Sequence, residues 1–311
     1  MSEMPETHDD EVVEIEFPDR DTVAAFTSAV PYINLSLAVL DNVTHTVGLN
    51  TRAHPESSET TTYRACEPLN RDEAILRGHL VRLVKIFRTV RDEVKAKRGD
   101  WLPLFGRLAA ETCVNLRCLL RNKKFDEYVL HSFRAELALL DEISRRLAIE
   151  KRAPEPMELR MRASIAKTFL AGGITEQAAR AGKLPRDLFG MTFEERLQFL
   201  GLGEKKKDRA SYIGVYSIPS HSIHGSWEDL RINHVYFTDS GDFEPDLSPA
   251  LIEPGQLLVP AWMALAAVEE FVAAQRYSGK FAQAIEGRIE EDRERIFVVL
   301  DCWDEFRGSP T

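Results

Sequence analysis

The chain has 311 residues, 44% of them hydrophobic and 9% aromatic, and a formal net charge of −10. That length and apolar content can build a sizeable core in one large domain or two, and the acidic balance argues against general nucleic-acid binding. Four scattered cysteines, Cys66, Cys113, Cys118 and Cys302, contain no CxxC pair and read as buried reduced thiols.

Residues 1–20 are acidic and polar, which predicts a flexible tail; residues 21–311 then form the helical domain. Asp21 can cap a helix running to about residue 47, kinked at Pro31, with Val23, Phe26, Val30, Ile33, Leu37 and Leu40 on one face. Residues 50–70 read as an exposed loop. Residues 72–97 carry Leu76, Leu80, Leu83, Phe87, Val90 and Val94 at coiled-coil spacing. That seam pairs by default with a helix of its own chain, and alternatively with a partner protein or a second copy.

The next helix, 101–124, has Pro103 in its first turn and apolar residues around most of its surface, so it is expected to be largely buried. Arg107, Glu111 and Asn115 interrupt that surface at four-residue intervals. Buried charges need partners, and residues four apart on a helix face each other, so Arg107 and Glu111 should pair. An amphipathic helix follows over 125–149, then another over 158–171 ended by Gly172 and Gly173. Thr192–Glu195 is a capping box. Residues 232–246 suggest a small β-hairpin around Asp239-Ser240-Gly241-Asp242, and 259–277 and 281–306 are closing helices. The fold class is all-α, roughly seven to nine helices around one core with that hairpin as an insert.

Charge is uneven along the chain. Residues 101–210 sum to +6 and residues 211–311 to −10, so the basic middle can be an anion-binding face or simply a variable helix surface. The acidic N-terminus shows no secretory pattern. The longest strongly apolar stretch, 257–268, is short for a bilayer and carries Pro260. The expected location is cytoplasmic, with no membrane partner.

Residues 211–227, SYIGVYSIPSHSIHGSW, hold the densest set of proton-transferring groups. Tyr212, Tyr216, Ser220 and His224 recur every four residues, and Pro219 should bend the segment. No phosphate-binding glycine loop, nucleophile elbow or HExxH is present. His221 and His224 could hold a metal only with ligands from elsewhere. The other histidines, His79 among them, read as surface or cap residues. If the two polar rows meet, Arg107 can clamp a phosphate, His224 can exchange protons, Glu111 can orient it, and Tyr216 and Ser220 can donate hydrogen bonds. Such a set could instead be an internal network that fixes helix register.

An apolar R…E…N helix followed by Y…Y…S…HG resembles an uncharacterised family of helical bacterial proteins known only as a domain of unknown function. The matching residues are Arg107, Glu111 and Asn115, then Tyr212, Tyr216, Ser220, His224 and Gly225, and the resemblance covers about residues 101–277. It implies a helical fold and no established activity. More distantly, the chain is similar in helical class to the HEPN domains of prokaryotic toxin and phage-defence systems, many of which cleave RNA with an arginine shortly before a histidine. Here Arg209 lies too far before His221, and Arg231 too close to His234.

The resulting expectation is a metal-independent, RNA-directed nuclease-like protein of a stress or defence system, without a cofactor. A non-catalytic helical interaction module and a metal-dependent enzyme using His221 and His224 are the alternatives.

Overall fold

The computed structural model describes residues 16–53, 68–182, 186–202, 226–227, 230–231, 234–277 and 279–308. Among these it is all-α apart from one small hairpin. The helices are α1 (Arg20–Ala24), α2 (Ala29–Arg52), α3 (Arg71–Lys95), α4 (Leu102–Asn122), α5 (Phe125–Glu150), α6 (Pro156–Gly172), α7 (Glu176–Ala181), α8 (Phe193–Phe199), α9 (Pro254–Gln275) and α10 (Gly279–Gly308). A 3-10 turn spans Leu188–Gly190, and strands β1 (Val235–Phe237) and β2 (Phe243–Pro245) pair antiparallel. The ten α-helices among the described residues exceed the expected number because the first predicted helix is two and the region before α8 contributes a short one.

Most boundaries follow from local chemistry. Asn70 caps α3 by accepting from the Glu73 amide at 2.9 Å. Pro103 stands in the first turn of α4. Thr192 and Glu195 form the reciprocal capping box that starts α8. Gly173 ends α6 in the left-handed region, at φ 66°.

The start of the chain is a correction. Asp19, not Asp21, caps α1 by accepting from the Thr22 amide, and α1 stops at Ala24. Pro31 lies in the first turn of α2, where its missing N–H costs nothing, so it starts a helix and does not kink one. The buried face of α2 accordingly uses Tyr32, Val39, Leu40, Val43 and Val47, while Val30 is 63% exposed.

Helices α2, α3, α4 and α9 close a ring of pairwise contacts, with α10 laid along α2 and α9. The predicted α3 seam is spent there. Leu76, Leu80, Leu83, Phe87, Val90 and Val94 are all buried within the chain, against α2 and α4. The last apolar segment is longer than 257–268. Helix α9 has 22 residues and a mean hydropathy of 1.7 in its most apolar window, long and apolar enough to cross a bilayer by those criteria. In this fold its apolar residues line the ring, with Leu257, Leu258, Leu265, Val268 and Phe271 at most 1% exposed.

Helices α5, α6 and α7 form a second unit with its own small core, built on Val129, Phe133, Leu137, Ile165 and Phe169. The Phe133 and Phe169 rings lie 4.3 Å apart. Gly172 is required where α6 crosses α5: a Cβ there would sit 2.7 Å from the Phe133 ring and 2.9 Å from Val129. Arg71 joins the two units, donating to the Gly172 carbonyl at 3.2 Å and pairing with Asp126 at 2.7 Å.

Candidate functional site

The site grows from α4. Its apolar residues, among them Ala109, Ala110, Cys113, Val114 and Leu116, are fully buried against α3 and α9. This fixes the helix rotation and leaves the polar row of Arg107, Glu111 and Asn115 along the edge of the packed face. All three are half-buried. Arg107 Nε donates to Glu111 Oε1 at 3.2 Å, the pairing that the four-residue spacing predicts.

Asn115 extends the row by a contact that the sequence did not announce. Its side-chain oxygen accepts from Arg196 Nη1 on α8. Arg196 is held in turn by stacking over the Phe193 ring, 5.3 Å from its centroid. Beside them, Arg117 and Arg121 converge on one carboxylate, Glu270 of α9. Arg117 Nε and Nη2 donate to Oε1 at 2.8 and 2.6 Å, and Arg121 Nη2 donates to the same oxygen at 2.6 Å. Arg121 also donates to the Leu200 carbonyl at 3.2 Å, just after α8.

Four guanidiniums (Arg107, Arg117, Arg121, Arg196) and two carboxylates (Glu111, Glu270) therefore lie along α4 and its contacts with α8 and α9. Burial alone would raise the Glu270 carboxyl. The hydrogen bonds and charges of Arg121 and Arg117 outweigh that and hold it below its ordinary value. Glu270 is thus ionised at neutral pH and acts as the clamp that keeps two arginines side by side.

The cysteines nearby are inert. Cys118 lies within the field of Arg196, Arg117 and Arg121, yet burial still pushes its thiol up to about 11. Cys113 is pushed up to about 12 by burial. Thiolate is the nucleophilic form, so neither residue is a nucleophile near neutral pH. Cys302 is also buried and free, which fits the reduced-thiol reading for the three described cysteines.

The remaining predicted site residues, Tyr216, Ser220 and His224, lie outside the described residues, as do Tyr212, His221 and Gly225. Residues 203–225 follow directly on Leu202, whose amide donates to the Leu197 carbonyl at 2.8 Å at the end of α8. Among the described residues, no group of three or more His, Cys, Asp or Glu side chains could hold a metal.

His79 is a correction. It is 7% exposed, with Nδ1 2.8 Å from the Ile75 carbonyl and Nε2 3.3 Å from the Tyr128 hydroxyl. A carbonyl only accepts, so Nδ1 carries the proton and Nε2 accepts from Tyr128. Burial lowers the imidazole's pKa, which keeps this ring neutral. It reads as a core histidine with both nitrogens satisfied.

With this geometry in view, the comparison with known families is decisive. A family of unknown function, DUF5677, matches residues 73–243. The chain belongs to the DUF5677 family. Its DUF5677 region begins in the first turn of α3 and ends at the start of β2, so it holds Arg107, Glu111, Asn115 and Arg196 and the whole of 211–227. The region starts and ends earlier than the 101–277 expected from the sequence pattern. Helices α1, α2, α9 and α10 lie outside it, so Glu270 reaches the arginine face from beyond the DUF5677 region. No curated protein and no solved structure matches the chain.

The sequence reading missed Arg117 and Arg121, although their four-residue spacing in the basic middle of the chain was a signal that could have found them. Glu270 and Arg196 were not, because only the packing of α9 and α8 on α4 brings them there.

Proposed function

We propose that the α4–α8 face is a phosphodiester-binding site and that the protein is a metal-independent, RNA-directed nuclease-like enzyme. The observation that carries this reading is the clustering of guanidiniums along the partly buried helix α4, with Arg117 and Arg121 converging on Glu270, Arg196 reaching Asn115, and Arg107 in the same polar row. Half-burial strengthens their field relative to the same charges in open water, and guanidiniums match the fork of phosphate oxygens.

In the proposed reaction the 2′-hydroxyl oxygen attacks the adjacent phosphorus. His224 takes the hydroxyl proton, the bond from phosphorus to the 5′ oxygen breaks, and that oxygen leaves after receiving a proton from the imidazolium or water. The products are a 2′,3′-cyclic phosphate and a 5′-hydroxyl. Arg107, steadied by Glu111, holds the non-bridging oxygens, Glu111 also orients the imidazole, and Tyr216 and Ser220 supply further hydrogen bonds.

Incubating purified protein with end-labelled single-stranded RNA in excess chelator tests this. Cleavage ending in a cyclic phosphate, lost in both His224→Ala and Arg107→Ala while each variant stays folded with a stability loss of no more than about 1.5 kcal/mol, is the expected result. A wild type that neither binds nor cuts RNA, together with a His224→Ala variant that mainly loses stability, would instead make the polar rows a structural network.

A further inference from the structure

A second feature is independent of the arginine face. Among the described residues, seven of the eighteen exposed large hydrophobic side chains fall within residues 227–251, on and around the hairpin. The register Val235–Pro245, Tyr236–Glu244 and Phe237–Phe243 places Phe237 and Phe243 together on one face of the two-stranded sheet. Their rings are 5.1 Å apart, and Trp227 packs edge-on against Phe243 at 5.4 Å. None of the three joins the core: Trp227 is 57% exposed, Phe237 66% and Phe243 51%. Leu247 and Leu251, just beyond, are 96% and 85% exposed. A lone two-stranded hairpin is marginal in water and gains stability by covering such a face. The same segment holds Asp239, Asp242 and Asp246, with Glu244 on the opposite face of the sheet, and residues 234–251 contain no lysine or arginine, a net charge of −4.

The complementary surface lies on the same chain. At the tip of the α5–α6 arm, Ile149, Met157 and Leu159 are 65%, 62% and 53% exposed. Residues 142–160 carry five basic and four acidic side chains, a net of +1, and Lys151 and Arg160 form no ion pair among the described residues. The two patches belong to opposite ends of α4. The hairpin segment is tied to the start of that helix, where the Ala250 amide donates to Asp100 at 3.2 Å. A Cβ on Gly99 would lie 2.2 Å from the Ala250 carbonyl oxygen, so the close approach needs glycine there. The arm leaves from the other end of α4 and packs on α6, α7 and the 3-10 turn. It carries its tip away over about 39 Å of helix at 1.5 Å per residue.

We propose that the acidic aromatic hairpin of one chain docks on the basic apolar tip of the α5–α6 arm of a second copy. The occupant follows from charge complementarity: a segment of net −4 and a tip of net +1 that offers the unpaired Lys151 and Arg160, each beside exposed apolar side chains and joined to opposite ends of α4. The contact is heterologous, so it propagates head to tail and closes into a ring or extends into a filament. Carboxylates around the aromatics disfavour RNA as the occupant.

The test uses the full chain and its mass in solution at tens of micromolar, by light scattering on a sizing column. The wild type is expected to run as an oligomer that dissociates at high salt. One variant, Phe237→Ser with Phe243→Ser, loses the hairpin patch. Another, Lys151→Glu with Met157→Glu, loses the tip patch. The substituted apolar side chains are exposed, and circular dichroism and melting confirm that the fold is kept. Each variant alone is expected to be monomeric. Mixed one to one they should form a dimer, since one intact hairpin then meets one intact tip. A wild type that stays monomeric at low salt overturns the proposal, as does a hairpin variant that still assembles or a mixture that stays monomeric. If the wild type is monomeric and the hairpin variant loses affinity for single-stranded RNA, the aromatics are a stacking platform for bases and the proposal also falls.

Discussion

Two arginine sites, one on α3 and one on α4, look alike in sequence and differ in what surrounds them. Arg77 is sealed, its side chain 4% exposed. Its donors go to Glu73 at 3.0 and 3.2 Å and to the carbonyls of Asn50 and Thr51 at 3.3 and 3.2 Å, and its plane lies 5.8 Å from the Phe271 ring centroid. One carboxylate balances one guanidinium, and the end of α2 is capped by the same group. Along α4, Arg117 and Arg121 share the one carboxylate of Glu270 and Arg107 pairs with Glu111, with side-chain exposures of 11% for Arg117, 17% for Arg107 and 39% for Arg121. A closed, neutral network holds helices in register. An open network of clustered guanidiniums keeps donors at the surface, within reach of a ligand.

The comparison predicts opposite responses to substitution. The largest is Arg77→Ala, expected to lose about 3–5 kcal/mol because Glu73 and two carbonyls are left without their donor. Urea unfolding measures this, and a loss below about 1 kcal/mol would remove Arg77 from the structural class.

The next effect has the opposite sign. Asp292 of α10 is 3% exposed beside a cavity of about 780 Å3, with Arg295 Nη1 at 3.2 Å. Burial raises its carboxyl to about 6. A raised acid destabilises the fold where it must ionise: fully above pH 6, and not at all below its unfolded value. Asp292→Asn should therefore stabilise the protein at pH 8 by up to about 3 kcal/mol, at 1.36 kcal/mol per unit, and by nothing near pH 3. Equal melting shifts at both pH values would refute that sign.

Smaller stability effects are expected along α4 and its contact with α8. Arg107→Ala and Arg196→Ala should each cost about 1–1.5 kcal/mol, the ordinary value of a lost hydrogen bond. If the face binds RNA, each should also lower the slope of log affinity against log salt by about 0.7, one phosphate contact on a single strand. A large stability loss with an unchanged slope would move these residues into the class of Arg77.

The smallest effect belongs to Glu270. Its depressed pKa contributes stability that is complete above its unfolded value near 4.5 and is lost as pH falls through the folded one. Glu270→Gln should flatten the melting curve against pH over that acid window while changing the melting temperature at pH 7 by only a few degrees.

The helical class, the α3 seam, the Arg107–Glu111 pair and the hairpin were all legible because each rests on local periodicity or turn chemistry. The face of α2 was not. Both Val30 and Tyr32 are apolar enough to be buried, and the break at residues 25–28 resets the helix rotation by an amount that no pattern encodes. The neutral state of His79 was hidden for a related reason: its second partner, Tyr128, lies 49 residues away.

By itself, the sequence determined which segments are helical, where most are capped, and that α4 carries a row of polar groups needing partners. Those properties depend on neighbours within about one turn, three to four residues apart. Only the tertiary structure decided which partners arrive. Packing α9 on α4 brings Glu270 to Arg117 and Arg121, and packing α8 brings Arg196 to Asn115. The balance of charge on that face is a sum over three helices distant in the chain, so no single stretch of sequence contains it.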